Sequence, residues 1–445
     1  MAKHILRRLI ICVLIAILLC AGVVWIRRPD RHGKNPGIGG GDFGGCLIVG
    51  NLALNGEDIY RDSPPGVNTW PPLYSLFCTV PALLARPTPY LARGSWIFLN
   101  YVLVWLVLRM TVRLVYGRGL SLWPESTTLS FVDVEVVVPF LLCARFIISN
   151  LDHLQVNVLI FALVLGTLVL HAANRDFLSG CCLALASTLK IMPVLFLPYF
   201  LFRRRYRVAA VATAVGAVLF LSPSLVYGWS RFLAYLSEWL HVVGAGWGVG
   251  KMNQSMFAML DRYLGHWAAV WNAKPTDALT VSGSRLPALA WLVVVGIVVA
   301  ASARRFHGEE RANSPASLLE YSVVLAASDI FGPVTWKAYF VNLLLPCTLL
   351  IALIRSDALP RSTRRVILVS LVFYAMLAAI PLADVSRFGQ RMEVLSAPTL
   401  GVLAILFLLL WLRPRVAGCA PVVVRRDGRL PPLVAPPPSC EEFSP

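Results

Sequence analysis

Runs of apolar residues long enough, or nearly long enough, to cross a lipid bilayer recur along this chain. They lie at about 9–26, 73–86, 95–115, 154–172, 208–227, 287–303, 317–330, 337–355, 366–382 and 395–413. A hydrocarbon core about 30 Å thick takes about 20 residues of α-helix, and within it each segment must satisfy its own backbone amides. The fold class that follows is an all-α polytopic membrane protein. Composition agrees, with 58% of residues hydrophobic, 14% charged and a mean hydropathy of +0.71, outside the soluble range. A net charge of +17 would suggest a nucleic-acid surface in a soluble protein. Here the basic residues fall in short runs between apolar segments, "RRRYR" at 203–207, "ARRFHGEER" at 303–311 and "RSTRR" at 361–365. Such runs mark the cytoplasmic side of a membrane, beside acidic lipid headgroups, and no nucleic-acid partner is expected.

The first apolar run has a basic head and no small-residue cleavage site after it, which reads as an uncleaved helix with a cytoplasmic N-terminus. Two regions fit less simply. Residues 128–150 carry Asp133, Glu135 and Arg145 and are divided by Pro139; residues 178–202 are interrupted by Lys190 and Pro193. Arg175 and "RRRYR" flank the second region and both belong in the cytoplasm, so it should go in and come back as two short helices meeting near Lys190. A broken helix is tolerated at membrane depth only where its freed backbone is buried or lines a cavity, which is where substrates bind. The same count of crossings makes 128–150 a pair of short or re-entrant pieces. About 11–14 transmembrane or re-entrant helices result, in a single domain over residues 1–413. Its outer loops are 27–72, carrying a short interfacial helix, and 229–286; residues 414–445 form a proline-rich cytoplasmic tail. The ten cysteines are scattered, without C-x-x-C or a Cys/His cluster, which argues against zinc and against a disulfide framework.

Nearly every suggestive polar residue falls on the non-cytoplasmic side. Asp42 follows "GIGGG", where the backbone can approach a ligand closely; it can also be a helix N-cap. Tyr60 ends "NGEDIY", and in "NTWPPLYSLF" paired prolines set Trp70 and Tyr74 at the aromatic belt. "SNLDHLQVN" places Asp152, His153, Gln155 and Asn157 together at the mouth of a helix. Lys190 lies too deep in an apolar stretch to snorkel easily, and a lysine suits phosphate as a point charge. In "GKMNQSMFAMLDRYL" Asn253 and Gln254 suit hydroxyls, Ser255 can cap a helix, and Arg262 suits a phosphate oxygen. "SDIFGPVTWKAYF" brings Asp329, Trp336, Lys337 and Tyr339 to another outer turn, and "ADVSRFGQRME" adds Arg387, Gln390 and Arg391, cations against the positive-inside trend. No P-loop, dinucleotide fingerprint, G-x-S-x-G or H-E-x-x-H occurs, and Asp133 and Glu135, two residues apart, point to nearly opposite sides of a helix.

In this order the motifs resemble those of glycosyltransferase family 87, polytopic enzymes of the GT-C class that include polyprenol-phosphate-mannose-dependent mannosyltransferases. The resemblance is carried by "GDF", "NGEDIY", "TWPPLYSLF", "LQVN", "LSGCCLALASTLKIMP", "NQSMFAMLDR" and "FGPVTWKAY", from about residue 40 to 350. Leu154 stands where the family usually has glycine, and Lys337 where a histidine is usual, which puts proton shuttling there in doubt and leaves a cationic role. The resemblance implies a GT-C helical bundle in a bacterial inner membrane that transfers a hexose, first of all mannose, with inversion. The donor would be a polyprenyl-phosphate sugar and the acceptor a lipid or glycan hydroxyl at the non-cytoplasmic face. It implies Asp42 as general base and Lys190, Arg262, Lys337 and Arg387 as partners of the donor phosphate. Asp152, His153, Gln155, Asn157, Asn253, Gln254, Ser255, Trp336 and Tyr60 would line the substrates. No metal or other cofactor is expected. Two other readings stay open on the residues alone, a transporter or flippase of lipid-linked sugars, to which broken helices and membrane-depth charges also belong, and a polysaccharide polymerase or ligase.

Overall fold

The computed structural model describes residues 2–27, 41–64, 66–122, 128–244, 248–267, 280–306, 312–380 and 386–416. Helices dominate: α1 (Ala2–Arg27), α2 (Asp42–Asn55), α3 (Pro72–Ala85) and α4 (Pro89–Tyr116) come first. After two paired two-residue strands, β1 (Leu120–Ser121) and β2 (Leu129–Ser130), follow α5 (Val134–His153), α6 (Asn157–Ala172) and α7 (Asp176–Leu189). A 3₁₀ turn (Met192–Leu195) leads into α8 (Phe196–Phe202), then α9 (Tyr206–Leu221), α10 (Pro223–Tyr227), α11 (Trp229–Gly244) and α12 (Met256–Gly265). The remainder is α13 (Leu286–Arg305), α14 (Pro315–Ile330), a 3₁₀ turn (Lys337–Leu343) into α15 (Leu344–Arg355), α16 (Arg361–Tyr374), α17 (Arg387–Val394) and α18 (Ala397–Leu412). Among the described residues seven stretches are long and apolar enough to cross a membrane, so this is a multi-pass membrane protein. Local sequence sets the helix starts: Thr88 and Ser314 cap with their side chains, each followed by a proline at the first helical position.

Residues 134–153 form one continuous helix, not the pair of re-entrant pieces the sequence suggested. Pro139 sits in its second turn and removes only one hydrogen bond there. Its charges find partners on other helices: Glu135 pairs with Arg355 at 3.0 Å, and Arg145 with Glu393 at 2.7 Å. The crossing that α5 supplies is balanced by α3, which runs for 14 residues, about 21 Å, too short to span. Near the start of α4 the indole N–H of Trp96 donates to the carbonyl of Leu154 at 2.9 Å, so α4 starts at the end of the bundle where α5 finishes.

Two expectations for the first outer loop also change. The helix α2 buries Phe43, Cys46, Leu47, Val49 and Leu52 and packs along α3, where an amphipathic helix lying on the surface was expected. Cys46 and Cys78 form a disulfide between α2 and α3, with their Cα atoms 5.1 Å apart. A separation of 32 residues carries no sign of this pairing. Close approach of the two helices makes it, with Gly50 lying so near the Cys78 carbonyl that no side chain would fit. Residues 178–202 do break at Lys190: α7 rises to it, and the turn and α8 return to Arg203. At that far end Glu320 on α14 is wholly buried and takes Arg413 at 2.8 Å, Arg203 at 3.3 Å and the Tyr199 hydroxyl at 2.9 Å.

Candidate functional site

Opposite the Glu320 end, the starts of α2 and α6 meet the ends of α5, α7 and α14. Gly41 takes the N-cap position of α2 at φ 87°, a conformation that favours glycine, and a Cβ there would meet the His153 ring at ordinary van der Waals distance. Asp42 is therefore the first residue inside the helix and does not cap it. The rest of the "GIGGG" approach lies outside the described residues. Asp42 is half-buried in the fields of Lys190 and His153. Burial raises its carboxyl above the ordinary aspartate value, and these two groups pull it part of the way back. A carboxylate so placed is a better proton acceptor than a solvated one.

Lys190 follows the last residue of α7 in extended backbone, so its side chain leaves the helix and enters the bundle. Its ammonium donates to Asn157 Oδ1 and lies 3.2 Å from the centroid of the Tyr339 ring. Asn157 is fixed in turn, with Nδ2 donating to Gln155 Oε1 at 2.6 Å and to Asn150 Oδ1 at 3.0 Å, while Asn150 donates to the Ala338 carbonyl at 2.7 Å. A narrow cavity below Lys190 is shared by Asn157, Ser328, Asp329, Tyr339 and Asn342. Beside the lysine, between α7 and α9, runs an apolar groove of Leu183, Thr188, Ile191, Ala212, Gly216 and Phe220. A carboxylate, a half-buried ammonium and an apolar groove thus meet at one end of the bundle.

Asp42, His153, Gln155, Asn157 and Lys190 are brought together by this geometry. Asp152 lies at the mouth, 3.9 Å from the His153 ring nitrogen. Lys337 and the flanking half-buried Trp336 stand to one side, where Lys337 and Arg145 both reach Glu393, at 3.3 and 2.7 Å. Arg387 opens α17, and its side chain lies outside the described residues. Arg262 is not at the site. It is fully buried and spends Nη1 on the carbonyls of Val249, Gly250 and Asn253 at 2.7–2.9 Å and Nη2 on Ser396 Oγ at 2.6 Å, so it braces the outer loop instead of meeting a phosphate.

Asn253, Gln254 and Ser255 are braces as well. Asn253 donates to the Gly248 and Pro333 carbonyls, Gln254 to those of Lys251 and Glu393, and Ser255 caps α12 through Ala258 N–H. Tyr60 donates its hydroxyl to the Trp70 carbonyl at 2.6 Å and packs on Tyr235, which ties the first outer loop to α11 rather than facing substrate. Three residues of the cluster had no place among the expected site residues: Asp329, Tyr339 and Asn342. Asp329 and Tyr339 were visible as part of a polar outer turn, and Asn342 gave no signal. Among the described residues no three His, Cys, Asp or Glu side chains converge as metal ligands.

The model of glycosyltransferase family 87 matches residues 68–328, more than half of the chain. Asp42 lies upstream of that match, so its assignment rests on the geometry above. A relative from Mycolicibacterium smegmatis, named a polyprenol-phosphate-mannose-dependent alpha-(1-2)-phosphatidylinositol mannoside mannosyltransferase, is 26% identical over 353 residues, covering 74% of this chain and 72% of the relative. A protein of the same name from Mycobacterium tuberculosis is 26% identical over 313 residues, covering 68% and 66%. Among solved structures, that of ArnT from Cupriavidus metallidurans in the apo state aligns at a TM-score of 0.41 and 12% identity, covering 91% of this chain and 78% of the other.

Proposed function

The chain belongs to glycosyltransferase family 87, and from that premise we propose that it transfers mannose from a polyprenyl-phosphate carrier to a hydroxyl of a glycolipid acceptor, with inversion, at the non-cytoplasmic membrane face. The observation that carries this reading is the placement of Asp42 and Lys190, a half-buried carboxylate and a half-buried ammonium from the ends of two different helices, each in the other's field. In the transfer, Asp42 takes the proton of the acceptor hydroxyl as its oxygen bonds to the anomeric carbon. The bond from that carbon to the phosphate oxygen breaks, and its electron pair stays on the phosphate. Lys190 stands where that charge develops, which is where a cation lowers the barrier. The apolar groove beside it suits a hydrocarbon tail. No step asks for a metal, because the leaving phosphate meets an ammonium, and we propose metal-independent transfer.

Two observations support the choice of face. The basic turns that end α8, α13, α15 and α18 lie at the Glu320 end, opposite Asp42, as the positive-inside trend asks of a site turned away from the cytoplasm. The Cys46–Cys78 disulfide beside the site suits an oxidising compartment. The relatives' names supply phosphatidylinositol mannosides as the first acceptor class to try.

The test is a transfer assay with purified protein, radiolabelled polyprenyl-phosphate mannose and a lipid extract. Asp42→Asn should lower turnover about 100- to 10,000-fold while the protein still binds donor. Full turnover in that variant would overturn the base assignment. Absence of mannosyl product from the unaltered enzyme, with every lipid-linked sugar donor supplied, would overturn the function.

A further inference from the structure

Beneath Lys190 lies a second carboxylate that the transfer scheme leaves unused. Asp329 is the penultimate residue of α14 and only 1% exposed. Its Oδ1 accepts from Asn342 Nδ2 at 2.6 Å and its backbone carbonyl from the Thr335 hydroxyl at 2.6 Å, so the turn after α14 holds the residue from two sides. Its Oδ2 is buried with no hydrogen-bond partner among the described residues. A buried carboxylate oxygen without a donor is costly and persists where a nearby charge answers it. Here the charge is Lys190: the two side chains line one narrow cavity with Asn157 and Tyr339, and each lies in the other's field. Lys190 is also in the field of Asp42. One ammonium therefore lies in the field of two carboxylates, Asp42 from the start of α2 and Asp329 from the end of α14.

We propose that Asp329 is a positioning residue of the transfer reaction: from below, it balances the pull of Asp42 on Lys190, so that the ammonium stays charged and available to the donor phosphate and Asp42 stays basic. This rests on the roles given to Asp42 and Lys190 above. An ammonium shared only with Asp42 would close into an ion pair with it. That pair would have to open before the donor phosphate could bind, and a paired Asp42 would hold a proton less well. Asp329 prevents this because it is held in place: Asn342 donates to its carboxylate and the residue is 1% exposed, away from the substrates. The groups facing Asp42 are Lys190 from the end of α7, His153 from the end of α5, Tyr74 from α3 and Tyr339 from the turn before α15. Asp329 reaches Asp42 through Lys190.

The experiment uses full-length purified enzyme with donor varied at saturating acceptor, across pH. Asp329→Asn should raise the donor KM about ten-fold or more, leave the acceptor KM alone, and move the acid limb of the rate profile to lower pH, since Asp42 loses a like charge nearby and gains a closer cation. Because Asp329 acts through Lys190, Asp329→Asn combined with Lys190→Gln should be no weaker than Lys190→Gln alone. An unchanged or lowered donor KM, an acid limb that does not move, or fully additive losses in the double variant would each overturn the proposal. Should Asp329→Asn fail to accumulate as folded protein, Asn342→Leu removes only the bond that aims the carboxylate and should raise the donor KM in the same way; a normal KM there overturns it as well. Where Asp42→Asn and Lys190→Gln themselves leave transfer intact, the site assignment fails. Where both are impaired and Asp329→Asn is not, only the role of Asp329 fails.

Discussion

Replacing Cys46 and Cys78 by alanine should loosen the helix that carries Asp42 before it unfolds the rest. The disulfide closes a loop of 32 residues, from one turn beyond Asp42 to the middle of α3. In the chain-entropy picture a loop of that length is worth about 3.7 kcal/mol at 25 °C, the most that its loss can cost if α2 and α3 are free to separate. They are partly held by other means. Asn68 donates to the Ile59 carbonyl at 2.7 Å, Tyr60 to that of Trp70 at 2.6 Å, and Arg231 on α11 to that of Gly56 at 3.0 Å, so the loop keeps much of its shape without the covalent bond. The expected loss is therefore below the full figure, roughly 2 kcal/mol, which for a chain of this size lowers the thermal midpoint by a few degrees. Transfer should fall more steeply with temperature than the midpoint does, because α2 opens first. Differential scanning fluorimetry in detergent and rates across 20–45 °C read both. Alkylation of both cysteines in the unreduced native protein, or a double variant with unaltered midpoint and unaltered temperature dependence, would refute the reasoning.

As the proposed base Asp42 must be ionised, so transfer should fall as pH drops through its pKa. Burial raises that pKa, placing the acid limb above the value of about 4 expected for a solvated aspartate; a rate that stays flat down to pH 4 would contradict it. Arg262→Lys replaces a fork that holds several carbonyls and Ser396 with a single point charge, so it should lower the thermal midpoint without raising the donor KM. The reverse pattern would restore the arginine to the donor site. Addition of a chelator to enzyme purified without divalent ions should leave the transfer rate unchanged, and a loss restored by magnesium or manganese would add a metal to the scheme.

The apolar runs, the basic turns and the break at Lys190 were legible because each follows from a local rule: bilayer thickness, charge asymmetry, and the cost of an ammonium in an apolar helix. What was misread depends on pairs far apart in sequence. Arg145 looked like a reason to split 128–150, and only its meeting with Glu393, 248 residues on, shows why a continuous helix can carry it. Arg262 looked like a phosphate ligand because a buried arginine wants anions; three backbone carbonyls of its own loop take that place. Asn253, Gln254 and Ser255 were recognised as polar groups in the right order, but polarity alone does not say whether an amide faces a substrate or the Pro333 carbonyl. Asp329 was visible in a polar outer turn but not placed among the site residues, because an aspartate at the end of an apolar helix usually meets water. Here the turn through Thr335 and Asn342 folds back over it.

The placement of Asp42 and Lys190 at helix ends explains how one buried site can hold both charges. A helix N-terminus favours an anion and a C-terminus a cation, each by about 0.3–1 kcal/mol in exposed positions and up to about 2 when partly buried. Asp42 is the first residue of α2, and Lys190 follows the last residue of α7, so each charge sits at the helix end that stabilises it. Exchanging the two residues would set both against the dipoles. This gives the break in residues 178–202 a function beyond a return to the cytoplasm. A continuous helix through Lys190 would satisfy the carbonyls of the last turn of α7 internally. Ending α7 there sends the lysine side chain inward to Asn157 and Tyr339. Ile191 and Thr188 beside it line the apolar groove, so that in the proposed reaction a lipid tail lying there would bring its phosphate to the lysine.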